Sequence, residues 1–297
     1  MPARSKIIIL GARGRLGAAL VRRWSADHEV IALGRADLDL LKAGEIESKL
    51  GAHAFDALVN AAGITSVDRC ETHPEEARIS NATAPEIIAR VCHERGARFI
   101  HISTDYVFSG AGRTPQTEDS PAEPANIYGA TKLEGERLVL AACPDALVAR
   151  VSWLFGLDKD SFPDRIIKTA LVSDHVDAVS DKWSSPTYAE DLADWLLHFI
   201  VDRRHSSGLL HLCNSGWTSW QDYGQCALDI AARLGLPLRT RTVAPISMHG
   251  FSEFIATRPP FTVLDTARFT RLTGITPRTW QDALAEYIAA RYLRRPQ

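Results

Sequence analysis

The run Lys6-Ile7-Ile8-Ile9-Leu10, followed at once by Gly11-Ala12-Arg13-Gly14-Arg15-Leu16-Gly17, restricts the fold of this chain more than any other stretch. An unbroken apolar run of this length reads as a strand buried on both faces, as in a parallel sheet. The spacing of Leu16, Leu20, Val21 and Trp24 then reads as an amphipathic helix. Strand, glycine turn and helix in that order are what a dinucleotide-binding unit requires. Glycines admit the tight turn and let the backbone approach a pyrophosphate, while the helix N-terminus offers unbonded N–H groups and a positive dipole. On this reading Gly11, Gly14 and Gly17, with Arg13, Arg15 and Leu16 in the same turn, bind the cofactor. The spacing is G-x-x-G-x-x-G rather than G-x-G-x-x-G, so a glycine-rich turn without a ligand stays open as the alternative.

The following segments continue the alternation. A second strand, Glu29 to Leu33, ends in Gly34-Arg35 with no acidic residue at its tip. A carboxylate there would bind a ribose 2′-hydroxyl and repel a 2′-phosphate, whereas Arg35, helped by Arg13, would attract the phosphate. The expected cofactor is therefore NADP(H), with NAD(H) as the alternative and a merely solvated Arg35 as the plain reading. A third strand, Phe55 to Val59, runs into Asn60-Ala61-Ala62-Gly63, small residues against which a cofactor could lie. A helix over 75–95, a strand from Arg98 and a strand over 146–152 complete a β-α series. The series predicts an α/β fold: a doubly wound parallel Rossmann sheet with a second, smaller substrate-binding domain. Residues 1–152, joined by about 174–203, form the expected dinucleotide-binding domain; 153–173 and 204–297 form the expected substrate-binding part.

Chemistry concentrates at the end of the fourth strand. Arg98 to Ile102 has strand character, and polar Ser103-Thr104-Asp105 stands where open α/β sheets bind ligands. Tyr128 and Lys132, four apart at the start of a helical pattern, share one helical face. A Tyr phenol titrates near ~10, and a neighbouring ammonium supplies the field that would bring it towards neutrality. Thr104 could bond the same substrate oxygen that Tyr128 protonates, fixing a carbonyl about to receive hydride. Tyr-x-x-x-Lys alone is a weak signal, and most isolated matches are surface residues on a helix.

Composition narrows the classes. A net charge of −2 over 297 residues, with no long run of like charges, provides no field for nucleic acid or anionic lipid. No stretch approaches a membrane span, and the four apolar residues after Lys6 are too few for a signal peptide. The five cysteines, Cys70, Cys92, Cys143, Cys213 and Cys226, are odd in number and widely spaced, which suits thiols in a reducing cytoplasm. No His/Cys metal pattern is present, so no catalytic metal is expected.

Taken together, these motifs resemble the extended short-chain dehydrogenase/reductase superfamily and, within it, the dTDP-4-dehydrorhamnose reductase family, nearly end to end. The segments that carry the resemblance are the GARGRLG turn, Asn60-Ala-Ala-Gly with Thr65, Val67-Asp68 and Glu71, and Ile102-Ser-Thr-Asp-Tyr-Val-Phe108. They continue with Glu118-Asp119, Asn126-Ile-Tyr-Gly-Ala-Thr-Lys-Leu-Glu-Gly-Glu136, Arg150-Val-Ser-Trp153, Ser185-Pro-Thr187, Arg258-Pro259 and Val263-Leu-Asp265. The resemblance implies that Tyr128 is the proton donor, that Lys132 binds the nicotinamide ribose and lowers the Tyr pKa, and that Thr104 is the hydroxyl partner. It places Asp39 and Leu40 beside adenine, and Ala61, Ala62 and Gly63 behind the cofactor. It also assigns Thr65, Val67, Asp105 and Trp153 to the sugar substrate, although Trp153 also reads as a core aromatic.

Related dehydratases carry Asp-Glu straight after the catalytic Thr, and here Asp105-Tyr106 follows, which favours net reduction over elimination. The implied substrate is a nucleotide-linked 4-keto-6-deoxysugar, most simply dTDP-4-dehydro-L-rhamnose. A different nucleotide-ketosugar, or a non-catalytic NADP-binding subunit resembling the regulatory β subunit of methionine adenosyltransferase, are the alternatives. A homodimer is the assembly left open. The chain departs from the family at Ile64, at Arg113-Thr114-Pro115 and at Lys182-Trp183-Ser184, where Gln-x-Gly is more usual, so the loops that read the sugar differ.

Overall fold

The computed structural model describes residues 4–201, 207–248 and 254–293. Its centre is a six-stranded parallel sheet made of β1 (Lys6–Leu10), β2 (Glu29–Leu33), β3 (Ala57–Asn60), β4 (Arg98–Thr104), β5 (Leu147–Val151) and β6 (Gly208–His211). The order across the sheet is β2-β1-β3-β4-β5-β6. β1 lies between two partners, with Ile8 opposite Ile31 on one side and Leu58 on the other. The order therefore reverses between β1 and β3, and the crevice beyond their C-terminal ends is where such sheets bind ligands.

The helices of ten residues or more are α1 (Arg15–Trp24), α2 (Ala84–Glu94), α3 (Ile127–Ala142), α4 (Phe162–Val172), α5 (Ala189–Val201), α6 (Trp220–Arg233) and α7 (Trp280–Tyr292). Period-two alternation in β1 explains the layering. Ile7 and Ile9 meet Leu16, Leu20 and Trp24 of α1 and Leu192, Leu196 and Phe199 of α5 on one face. Ile8 and Leu10 meet Ile88 and Cys92 of α2 and Val139 of α3 on the other. The sheet is doubly wound, as the alternation of elements implied. The Trp24 indole N–H donates to the Ala193 carbonyl at 3.1 Å, so α1 and α5 are fastened by more than apolar contact.

The second part has its own core, in which Ile166 and Ile167 of α4, Tyr223 and Leu228 of α6, and Trp280, Leu284 and Tyr287 of α7 surround Phe155 and Tyr188. Its boundary differs from the sequence reading at two places. Residues 208–211, grouped there with the substrate-binding part, are the edge strand of the sheet, with Leu210 opposite Ala149 of β5. Phe269, from the short helix Ala267–Thr273, likewise packs in the core under α5. A short strand, Asp177–Val179, pairs with Ala244–Ile246 beside this core.

Residues 255–264 cross the C-terminal end of β4 as a strap. Asp68 accepts the backbone N–H groups of Ile255 and Ala256 and a guanidinium N–H of Arg258, the last at 2.6 Å. Lys182 Nζ donates to the Pro259 carbonyl at 2.6 Å, and the Thr262 hydroxyl donates to Asp105 at 2.6 Å. The strap thus brings the two parts together over the residues that carry the chemistry.

Candidate active site

A cleft of about 490 Å³ opens at the switch point. Gly11, Arg13, Gly14, Arg15 and Leu16 line one end, Ala61, Ala62 and Gly63 line the wall, and Tyr128 and Lys132 stand at the far end. Gly11 has φ 74°, and a Cβ on it would lie 2.8 Å from the Ala61 carbonyl oxygen, so only glycine lets β1 and β3 come together there. Gly17 does not line the cleft; a Cβ on it would lie 2.1 Å from the Gly11 oxygen, so its place is beneath the turn. α1 starts at Gly14 with no side-chain cap and no acidic residue in its first turn, leaving its N-terminal N–H groups facing the cleft. The turn can therefore hold the phosphates of a dinucleotide.

Arg35, Asp39 and Leu40 line the same end. The Arg35 side chain is 67% exposed, with Nε 3.4 Å from Asp39 Oδ2. The nearby carboxylates are engaged with backbone, Asp37 accepting the Gly34 N–H at 2.8 Å and Asp39 the Leu41 N–H at 3.1 Å. Arg35 is thus paired through Nε with Asp39, and its exposed guanidinium lies at the cleft end beyond the tip of β2.

At the other end, α3 begins with Asn126 accepting the Gly129 N–H at 2.8 Å, a cap that sets the helix phase and hence Tyr128 and Lys132. Tyr128 is buried, edge-on to Tyr106 with ring centres 5.6 Å apart, and close to the Thr104 hydroxyl. Burial pushes the phenol above its ordinary pKa, and the nearby Thr104 hydroxyl opposes this only in part. In the chain without cofactor, burial is the dominant influence on it. Lys132 Nζ donates to the Ile102 carbonyl at 2.6 Å and lies 3.1 Å from His101 Nε2. Burial brings Lys132 itself down to about 8, against the raising influence of Glu136 and Cys70.

The residues assigned to the sugar are placed unevenly. Thr65 lines the cleft, and Val67 packs beside Tyr128, Cys70 and Ala77 at its rim. Asp105 is buried, accepting from Thr104 at 3.1 Å, Ser152 at 2.8 Å and Thr262 at 2.6 Å, which ties the strand end to the strap. Burial raises its pKa, opposed by Lys182 and the three hydroxyls. Trp153 lies 5.2 to 5.6 Å, centre to centre, from Phe162, Trp220 and Tyr223. It is partly buried, packed against the edge of the second core. Its φ of 47° is nevertheless uncommon for a bulky residue and is held by that cluster.

A family model described as the RmlD substrate binding domain matches residues 5–293. The chain belongs to this family. It is 38% identical to a probable dTDP-4,6-dihydroxy-2-methyloxan-3-one 4-ketoreductase of Streptomyces antibioticus, over 94% of this chain and 93% of that protein. It is 37% identical to the dTDP-4-dehydrorhamnose reductase of Mycolicibacterium smegmatis, over 96% of this chain and 85% of that one. The structure of the Bacillus anthracis dTDP-4-dehydrorhamnose reductase in complex with NADP superposes with a TM-score of 0.89 at 26% identity, over 97% of this chain and all of that one.

Several motif residues of this RmlD-family chain prove to hold the frame. Glu136 and Arg150, each 2% exposed, form a bidentate pair at 2.9 and 2.6 Å. Glu118 accepts the His211 N–H and lies beside Arg268, so it anchors β6. Other residues escaped the sequence reading. The helix expected over 75–95 is interrupted by a π-turn, Ile79–Thr83, which carries Asn81 to Ile64. There Asn81 accepts the Ile64 N–H at 2.9 Å and donates to its carbonyl at 3.0 Å and to Thr131 at 3.3 Å, shaping the cleft wall. Lys182, noted only as a family departure, is 1% exposed, with its ammonium 4.9 Å from the Tyr106 ring centre, and burial lowers it to about 8. His101, inside an apolar strand, had no spacing to mark it.

Proposed function

We propose that this chain reduces dTDP-4-dehydro-L-rhamnose to dTDP-L-rhamnose with NADPH. The observation that carries the reading is the buried Tyr128, beside Thr104, at one end of a cleft whose other end is an uncapped helix N-terminus behind a glycine turn. A nicotinamide cofactor held by Gly11, Gly14 and the wall Ala61, Ala62 and Gly63 would supply the hydride for carbon 4 of the sugar. Tyr128 gives its proton to the oxygen that becomes the 4-hydroxyl, and Thr104 holds that oxygen in place. A phenol raised by burial remains an acid throughout the neutral range, the form that reduction uses. Thr65, Val67, Asp105 and Trp153 surround the sugar in this reading, with Asp105 acting through the hydroxyls it orients. The five free cysteines accord with a reducing cytoplasm.

Arg35 is the proposed 2′-phosphate ligand. Replacing it with Ala should weaken NADPH binding about tenfold, the effect of one charge-assisted hydrogen bond, and leave NADH binding within about twofold. Equal losses for both cofactors in fluorescence titrations would remove Arg35 from that role.

The reading as a whole is tested by NADPH consumption with enzymatically prepared dTDP-4-dehydro-L-rhamnose beside other dTDP-4-ketosugars, since one relative is named for a different sugar. Rapid turnover of the rhamnose precursor supports it. Faster turnover of another ketosugar replaces the substrate, and cofactor binding without turnover of any supports the regulatory alternative.

A further inference from the structure

Beneath the cleft, three buried polar side chains form a line that the proposed reduction leaves unexplained. Asn60 ends β3, His101 lies within β4, and Lys132 projects from α3. Asn60 and His101 are fully buried and Lys132 is 5% exposed. Asn60 Nδ2 lies 3.2 Å from His101 Nδ1, and His101 Nε2 lies 3.1 Å from Lys132 Nζ. The Ala62 N–H donates to Asn60 Oδ1 at 3.1 Å, so the amide must turn its NH₂ towards the imidazole. An imidazole that accepts at Nδ1 carries its proton on Nε2. That N–H points at Lys132.

An ammonium has only donors and would set N–H against N–H. A neutral amine has a lone pair for His101 Nε2–H and an N–H for the Ile102 carbonyl, 2.6 Å away. Desolvation acts in the same direction on Lys132, and it holds the imidazole well below its ordinary pKa, so His101 is not the charged partner.

We propose that His101 is a positioning residue that favours the neutral amine of Lys132, so that the free chain holds it neutral at pH 9, and that binding of the nicotinamide cofactor then draws one proton from solvent onto Lys132. The inference rests on the cofactor reading above. In that reading the hydroxyls of the nicotinamide ribose accept hydrogen bonds from Lys132 and so favour the ammonium. Other titratable groups face Lys132 from three sides. Glu136, one turn on along α3, is paired with Arg150. Cys70, from the helix Val67–Thr72, has its thiol pushed by burial to about 11. Tyr128 is raised by burial, so thiol and phenol both keep their protons at pH 9.

Calorimetric titration of NADPH at pH 9, in two buffers of different ionisation enthalpy, counts the protons taken up. The wild type should take up about 0.8 proton per cofactor, and its affinity should fall roughly tenfold from pH 7 to pH 9 as free Lys132 loses its proton. His101→Gln offers Lys132 an amide carbonyl. It should bind with uptake below about 0.3 proton and with affinity flat to about twofold over that range. Lys132→Met should lose the uptake. Wild-type uptake below about 0.2 proton, unchanged uptake in His101→Gln, or uptake retained in Lys132→Met each overturns the proposal. The wild-type and Lys132→Met titrations decide where the proton goes even if the Gln variant fails to fold. Absence of any NADPH binding by the wild type would instead overturn the cofactor reading itself.

Discussion

Replacing Tyr128 with Phe should lower kcat for ketosugar reduction by about a hundredfold to ten-thousandfold, the range general acid catalysis supplies. NADPH affinity should stay within about threefold, since the ring keeps its edge-on packing against Tyr106 and only the hydroxyl is lost. Loss of both binding and turnover would show damage to the cleft rather than removal of a proton donor. Turnover within tenfold of wild type would show that another group protonates the sugar oxygen. The raised phenol pKa adds a sign to the pH profile. The acid form is the active one for reduction, so Tyr128 imposes no loss of rate below its pKa and removes activity only at strongly alkaline pH. The reverse oxidation needs the phenolate and should improve as pH rises.

The largest effect on stability should come from the Glu136–Arg150 pair. Glu136→Gln leaves the Arg150 guanidinium almost fully buried without its counter-charge, and its Nη1 already lacks a partner. Breaking a buried pair from one side costs about 3–5 kcal/mol, so Tm should fall on the order of 10 °C. The Ser103 hydroxyl, which donates to Glu136, would loosen the strand end two residues from Asp105. The double replacement Glu136→Leu with Arg150→Met removes both charges and should recover part of the loss. Thermal unfolding of the three proteins checks the argument. A single-variant loss below about 1 kcal/mol would mean that water reaches Arg150 after all.

What could be read in advance followed from local chemistry. β1, the glycine turn, and the Tyr128 and Lys132 spacing each rest on residues that touch within one or two elements, so period and composition expose them. The family motifs were visible for the same reason, but their work was not. Asp68 and Arg258 are 190 residues apart and meet across the strap. No local pattern announces such a meeting. β6 was grouped with the wrong part because a short apolar strand does not say which sheet edge it will join. Lys132 was expected to act on Tyr128, since helical spacing places both on one face; it cannot show a histidine from β4 underneath. A helix over 75–95 was legible, while the π-turn that aims Asn81 depends on how α3 packs against that segment.

The return of residues 208–211 to the sheet bears on how this protein can be recombined. A fragment ending after β5 would present a bare strand edge, a template for pairing with another chain, and would leave Leu20 and Trp24 without the cover of α5. The cofactor half is therefore not a cassette that can be cut free at a single point. A chimera designed for a new sugar would have to keep Ala189–Val201, Gly208–His211 and Ala267–Thr273 with the sheet and exchange only the pieces between them.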